Sequence, residues 1–138
     1  MRIRYKLDDG AFKPTKSHER DAGFDLYAPY DAAILPGYGL SIDTGVHFDI
    51  PEGYAGEVVG RSGLNHALNV ICPQGTVDSG YTGSVRVKLY NLGKNNFIIQ
   101  KGDRIAQIVF VPIADVRLVE ATEREDERGT DGFGSTGR

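Results

Sequence analysis

Short alternating runs of apolar and polar residues, each closed by a turn signal, recur along this chain. Residues 2–7 alternate and stop at Asp8-Asp9-Gly10, and residues 33–35 stop at Pro36-Gly37. Residues 40–50 read as one long strand, alternating most clearly over Val46-His47-Phe48-Asp49-Ile50 and ending at Pro51-Glu52-Gly53. Residues 54–59, 85–90, 97–100, 105–113 and 116–119 complete the predicted strands. One short helix fits, over residues 62–68, with Ser62 as its N-cap. There is no βαβ alternation and no internal repeat. The pattern therefore predicts an all-β domain, whether sandwich, jelly roll or irregular barrel.

Beyond Glu120 the pattern stops. Residues 122–127 are charged and polar, and residues 128–138 set one aromatic, Phe133, among glycines and hydroxyls with an arginine at each end. A segment with so little to bury does not hold a shape by packing. The expected organisation is one domain over residues 1–120 and a flexible arm over 121–138. The 18 glycines suit the many tight turns of a small β protein. The net charge of -3 argues against nucleic acid as a partner, while leaving room for a local cationic site for a small anion. No apolar run reaches membrane-spanning length, so no membrane association is expected. A single cysteine, Cys72, and an N-terminus without an apolar leader favour the cytoplasm.

Five segments carry candidate chemistry. In Asp21-Ala22-Gly23-Phe24-Asp25 an acidic residue opens an apolar strand, and alone this is ordinary turn punctuation. In Gly60-Arg61-Ser62-Gly63-Leu64 a guanidinium, a hydroxyl and helix N–H groups suit phosphate, or form a plain helix cap. Residues 75–83 hold three glycines, one carboxylate (Asp78) and one tyrosine (Tyr81), reading as a tight hairpin. Asp78 is a candidate general base for water, or a turn former. In Gly102-Asp103-Arg104-Ile105-Ala106-Gln107, Gln107 either offers an amide N–H to phosphate or is a satisfied edge residue. The glycine-rich tail is the fifth segment. No Walker loop, GxGxxG, zinc-deaminase signature or metal-ligand spacing of histidines is present. These segments add up to an all-β binder of nucleotides or phosphate esters with a candidate carboxylate base.

In order, the five segments resemble the five motifs of the trimeric deoxyuridine triphosphatase (dUTPase) family, from about Asp21 to Arg138. The resemblance implies a jelly-roll-like distorted barrel with one short helix, assembled as a homotrimer with shared active sites and a flexible arm that closes over them. It implies Mg2+-assisted cleavage of dUTP to dUMP and pyrophosphate, which keeps uracil out of DNA and supplies dUMP for thymidylate synthesis. By the same resemblance, Asp78 activates the water that attacks the α-phosphate. Gly75, Thr76 and Val77 read uracil through their backbone, and Tyr81 lies under the deoxyribose. Arg61, Ser62, Gly63 and Gln107 hold the triphosphate. Asp25 supports the metal indirectly, through water, and Arg128, Phe133, Gly134 and Ser135 act from the arm.

Three positions depart from the family pattern: Asp131 replaces an arm glycine, Cys72 an asparagine of some relatives, and Gly80 a common acid. A related dCTP deaminase reading fails at Lys88, which stands where that chemistry needs a glutamate. A nucleotide-binding regulatory protein of the same fold is the alternative from another class.

Overall fold

The computed structural model describes residues 1–121, 129, 130, 132–134, 136 and 137. Among the described residues, eleven strands and one helix follow in chain order: β1 (Arg4–Leu7), β2 (Phe24–Tyr27), β3 (Ala32–Ile34), β4 (Gly39–Asp43), β5 (Val46–Asp49), β6 (Tyr54–Val59), α1 (Ser62–Leu68), β7 (Val70–Ile71), β8 (Gly75–Val77), β9 (Arg86–Asn91), β10 (Phe97–Ile99) and β11 (Arg104–Pro112). They form four small antiparallel sheets, ordered β2-β11-β6-β8, β4-β9-β7, β1-β5 and β3-β10. The sheets wrap one core as a jelly-roll-like distorted barrel. No helix among the described residues is long and apolar enough to cross a membrane.

Inward and outward positions alternate as the pleat requires. In β9, Val87, Leu89 and Asn91 are buried while Arg86, Lys88 and Tyr90 are exposed. Asn91 is tolerated inside because its amide is satisfied: Nδ2 donates to the carbonyls of Ile34 (2.7 Å) and Asn95 (2.8 Å), and Oδ1 accepts from Gly93 N–H. Leu26, Val58 and Ile108 from the large sheet, Val46 and Phe48 from β5, and Ile34 and Ile99 from β3 and β10 bring the remaining sheets onto the same core.

Four expectations are corrected. Residues 40–50 are two strands, because Gly45 turns at φ 67° and buried Thr44 closes the break, its hydroxyl donating to the Val85 carbonyl at 2.7 Å. Residues 116–119 form no strand; Leu118 is 96% exposed, since no ladder in the protomer reaches it. Ser62 is the first helical residue rather than the cap. Arg61 holds the cap position with extended backbone and no capping side chain. Residues 75–83 are no hairpin either: β8 pairs only with β6, and the chain then turns and crosses to β9 in another sheet. The expected arm begins at residue 121, and most of it lies outside the described residues.

Candidate active site

Strand pairing gathers three of the expected residues at one end of the large sheet. Asp25 on β2 sits opposite Gln107 on β11, which sits opposite Val59 at the end of β6. The chain leaves β6 through Gly60, so Arg61 emerges above the same strand ends. Arg61 Nε lies 3.2 Å from Asp25 Oδ1, and its Nη1 donates to the Arg104 carbonyl at 3.3 Å. Arg104 approaches the other oxygen, Oδ2, at 3.5 Å. With its side chain only 14% exposed, Asp25 is thus ringed by two cations that offset its desolvation. Arg61 keeps further N–H donors for an incoming anion.

Gln107 is oriented on both sides. Its Nε2 donates to the Gly60 carbonyl at 3.3 Å, and its Oε1 fills the space where a Cβ on Gly23 would sit. Gly23 thus lets the Gln107 amide lie against the backbone, a role of close approach rather than of a turn. Ser62 and Gly63 open α1 beside this group, and together they line a cleft of about 260 Å3 with Ser17 and Asp21. A neighbouring depression shares Arg61, Ser62 and Gln107 and is floored by Cys72. Burial pushes the Cys72 thiol up to about 11, so it stays a neutral wall at physiological pH.

The remaining expected residues lie elsewhere. Asp78 follows β8 on an exposed turn closed by Tyr81 N–H donating to the Asp78 carbonyl (3.2 Å), with Gly80 at φ 84°. Tyr81 donates to the Ser84 carbonyl at 3.1 Å, and its phenol occupies the space a Cβ on Gly83 would need. Thr76 Oγ1 donates to both oxygens of Glu57, 3.0 Å each, and Gln74 Nε2 donates to the same carboxylate. What β8 leaves open is its backbone, because β8 is the edge strand of its sheet.

Val77 pairs with Gly56, four residues before Gly60, which places the two groups about 13 Å apart along the strands. Asp25 lies three strands away across the sheet from β8, about 14 Å at the usual spacing. One protomer therefore does not bring Asp78 to the Asp25–Arg61–Gln107 group. Phe133 is fully exposed at φ 47°, followed by Gly134 at φ 91°. Arg128, Asp131 and Ser135 lie outside the described residues.

Known proteins place this geometry. The dUTPase family profile matches residues 10–137. The chain belongs to the dUTPase family. It is 43% identical to the deoxyuridine 5'-triphosphate nucleotidohydrolase of Fowlpox virus, over 96% of this chain and 94% of that protein. Its identity to the Rhizobium johnstonii protein of the same name is 44%, over 98% and 91%. Among solved structures it resembles the dUTPase of Staphylococcus bacteriophage 80alpha with dUpNHpp, at TM-score 0.93 and 30% identity, covering 99% of both chains.

A dUTPase of S. aureus phage phi11, described with a coordinated structural Mg(II) ion, matches at TM-score 0.84 and 25% identity, over 89% of this chain and 98% of that one. In the present chain no group of three or more His, Cys, Asp or Glu among the described residues is arranged to cage a metal. The carboxylates of the Arg61–Gln107 cleft are Asp25 and Asp21, and a magnesium ion that kept most of its waters would need no such cage.

Sequence reasoning missed two members of the site. Arg104 shares Asp25 with Arg61 and also donates to Ser17 Oγ at 3.1 Å. The β2–β11 pairing that juxtaposes them leaves no local trace in sequence. Glu57 was passed over as an ordinary strand residue, although the alternation in β6 does place it off the buried face.

Proposed function

We propose that this dUTP diphosphatase cleaves its substrate to dUMP and pyrophosphate at sites shared between the protomers of a homotrimer, with Asp78 activating the attacking water. The observation that carries the shared site is the separation, within one protomer, of Val77, next to Asp78, from Gly60, next to Arg61, about 13 Å along the strands alone. Water attack on the α-phosphate needs base and phosphate ligands within hydrogen-bond reach of one another's targets. Threefold assembly supplies that proximity by placing the β8 turn of one copy against the Arg61 end of the next.

Each residue then has a physical task. Arg61, Ser62, Gly63 and Gln107 receive the triphosphate, and Asp25 holds Arg61 in place through its 3.2 Å ion pair. Gly63 and Gly75 have open space where a Cβ would be, which lets a ligand approach the backbone closely. The free edge of β8 at Gly75, Thr76 and Val77 offers fixed donors and acceptors to the uracil edge. Cytosine's amino group mismatches such an edge and leaves buried groups unpaired. Tyr81, held over Gly83, lies under the deoxyribose where a ribose 2'-OH collides.

The water oxygen bonds to the α-phosphorus as Asp78 takes its proton. The bond from that phosphorus to the bridging oxygen breaks, and pyrophosphate leaves. Asp25 would hold magnesium indirectly, through water, and the ion would supply charge neutralisation beyond that of Arg61. Arg128, Phe133, Gly134 and Ser135 close over the substrate from the arm, excluding water and stacking Phe133 on the base. A single neutral thiol suits a reducing cytoplasm, where the reaction keeps uracil out of DNA and supplies dUMP for thymidylate synthesis.

Pyrophosphate release from dUTP, dCTP, dTTP and UTP with magnesium tests this reading. Release from dUTP alone is expected, and equal release from UTP or dCTP contradicts the assigned roles of Tyr81 and β8. A second reading is favoured by the similarity to phage 80alpha dUTPases, described as controlling transfer of virulence genes by a proto-oncogenic G protein-like mechanism. For this chain it predicts tight dUTP binding with negligible turnover in the same assay.

A further inference from the structure

The turn that carries Asp78 and Tyr81 is fastened at its far end by a side chain from another sheet. His47, on β5, places Nδ1 2.8 Å from the Thr82 carbonyl oxygen. Its Nε2 lies 3.0 and 3.1 Å from the two oxygens of Asp8, just beyond β1. A carbonyl and a carboxylate only accept hydrogen bonds, so both contacts are made together only when both ring nitrogens carry protons. The neutral ring turns a lone pair toward one of the two and gives up that contact.

We propose that protonated His47 is a positioning residue for dUTP hydrolysis: it clamps the Tyr81–Thr82 end of the catalytic turn to the β1–β5 ribbon, and its deprotonation releases that end. This rests on the reading of Asp78 and Tyr81 as site residues. Tyr81 and Thr82 border the same groove as His47, together with Arg4, Lys6 and Asp49. A second tie lies next along the chain, where the Ser84 hydroxyl donates to Asp43 Oδ1. Ser84 and Asp43 keep the base of the loop in place whatever the state of His47, so releasing the clamp loosens the turn without unfolding it.

The charges around the ring favour the clamped state. Asp8 is in contact, Asp43 acts from β4, and Lys6 stands directly opposite on β1. Asp49, two residues along β5, is neutralised by Arg4 across the pair. The Thr82 carbonyl, then Asp8, hold the ring's pKa above its ordinary value against burial and Lys6. A raised pKa means the clamp's contribution is complete below the ordinary histidine pKa of 6.5 and is lost as pH rises through the folded value.

The test is the pH profile of kcat and KM for dUTP in the full chain, H47Q and D8N, with His47 ring and Thr82 amide resonances followed by NMR. Loss of the clamp is expected to raise KM for dUTP about threefold to tenfold as His47 deprotonates. H47Q should show the high-pH KM throughout, and D8N should move the limb to lower pH. A limb unchanged in H47Q overturns the proposal, as does a Thr82 amide that ignores the titration of His47. If H47Q does not fold, D8N decides: a limb that stays in place overturns it. D78N separates the two readings. Full turnover in D78N removes Asp78 from the mechanism, while the NMR titration still reads the clamp.

Discussion

In the proposed site, Asp78 and Gly23 would serve in two different ways. Asp78 is exposed on its turn, and no hydrogen bond or ion pair among the described residues engages its carboxylate. Replacing it with asparagine keeps the shape and removes the base, so kcat should fall by about 10²–10⁴ with dUTP affinity nearly unchanged, as measured by turnover and calorimetry. Gly23 acts by absence, since a Cβ there collides with Gln107 Oε1. Gly23→Ala should turn the Gln107 amide away and raise KM for dUTP about fivefold, the cost of one lost hydrogen bond. Unaltered KM would show that the amide's orientation does not matter to the substrate. Both residues were visible in the sequence, Asp78 as a candidate base or turn former and Gly23 only as turn punctuation. The reason for Gly23 lies in a side chain 84 residues away in β11, which no local pattern reveals.

At the scale of elements, what the sequence made legible was the pleat, and what it hid was breaks and partners. The alternation in β9 is strong because one face is fully buried. The split between β4 and β5 was hidden because Thr44-Gly45 interrupts an otherwise continuous apolar period. Tertiary bonds hold the break, among them the Thr44 hydroxyl donating to the Val85 carbonyl and Asp8 N–H donating to the Gly45 carbonyl. β7 and β8 are two and three residues long, too short for periodicity to mark.

Asp43, at the end of β4, braces this corner. The Ser84 hydroxyl, Gly45 N–H (3.0 Å) and Arg86 all favour its charged form and hold its pKa below the ordinary 3.8, against a smaller opposing effect of burial. A depressed carboxylate stabilises above its unfolded pKa and loses that contribution as pH falls through the folded value. Asp43→Asn should therefore lower Tm at neutral pH, and the gap from the parent chain should narrow on acidification below 3.8. A gap independent of pH would assign the loss to packing instead.

At the scale of the whole molecule, the fold keeps apart two groups that the proposed reaction needs together. The Asp25–Arg61–Gln107 end and the Asp78–Tyr81 turn are both well formed, and neither completes the other within one chain. The sequence displayed both halves in order along one chain but not their distance, because distance follows from sheet order, with β8 at one edge and β2 at the other. Residues 116–119, strand-like in sequence yet exposed in the protomer, lead from the barrel toward the arm. Ending the chain after Glu127 should leave a folded trimer whose kcat/KM for dUTP is reduced at least about tenfold, since closure over the substrate is lost. Full activity of that chain would remove the arm from the mechanism.

The shared site itself is tested most directly by mixing two variants, Arg61→Ala and Asp78→Asn, each expected to be nearly inactive alone. Unfolded together in equal amounts and refolded, they should regain about a quarter of the parent's dUTP turnover, the share of sites that draw an intact Arg61 from one copy and an intact Asp78 from another. A mixture no more active than its separate components would place both residues' work within a single chain and contradict the account.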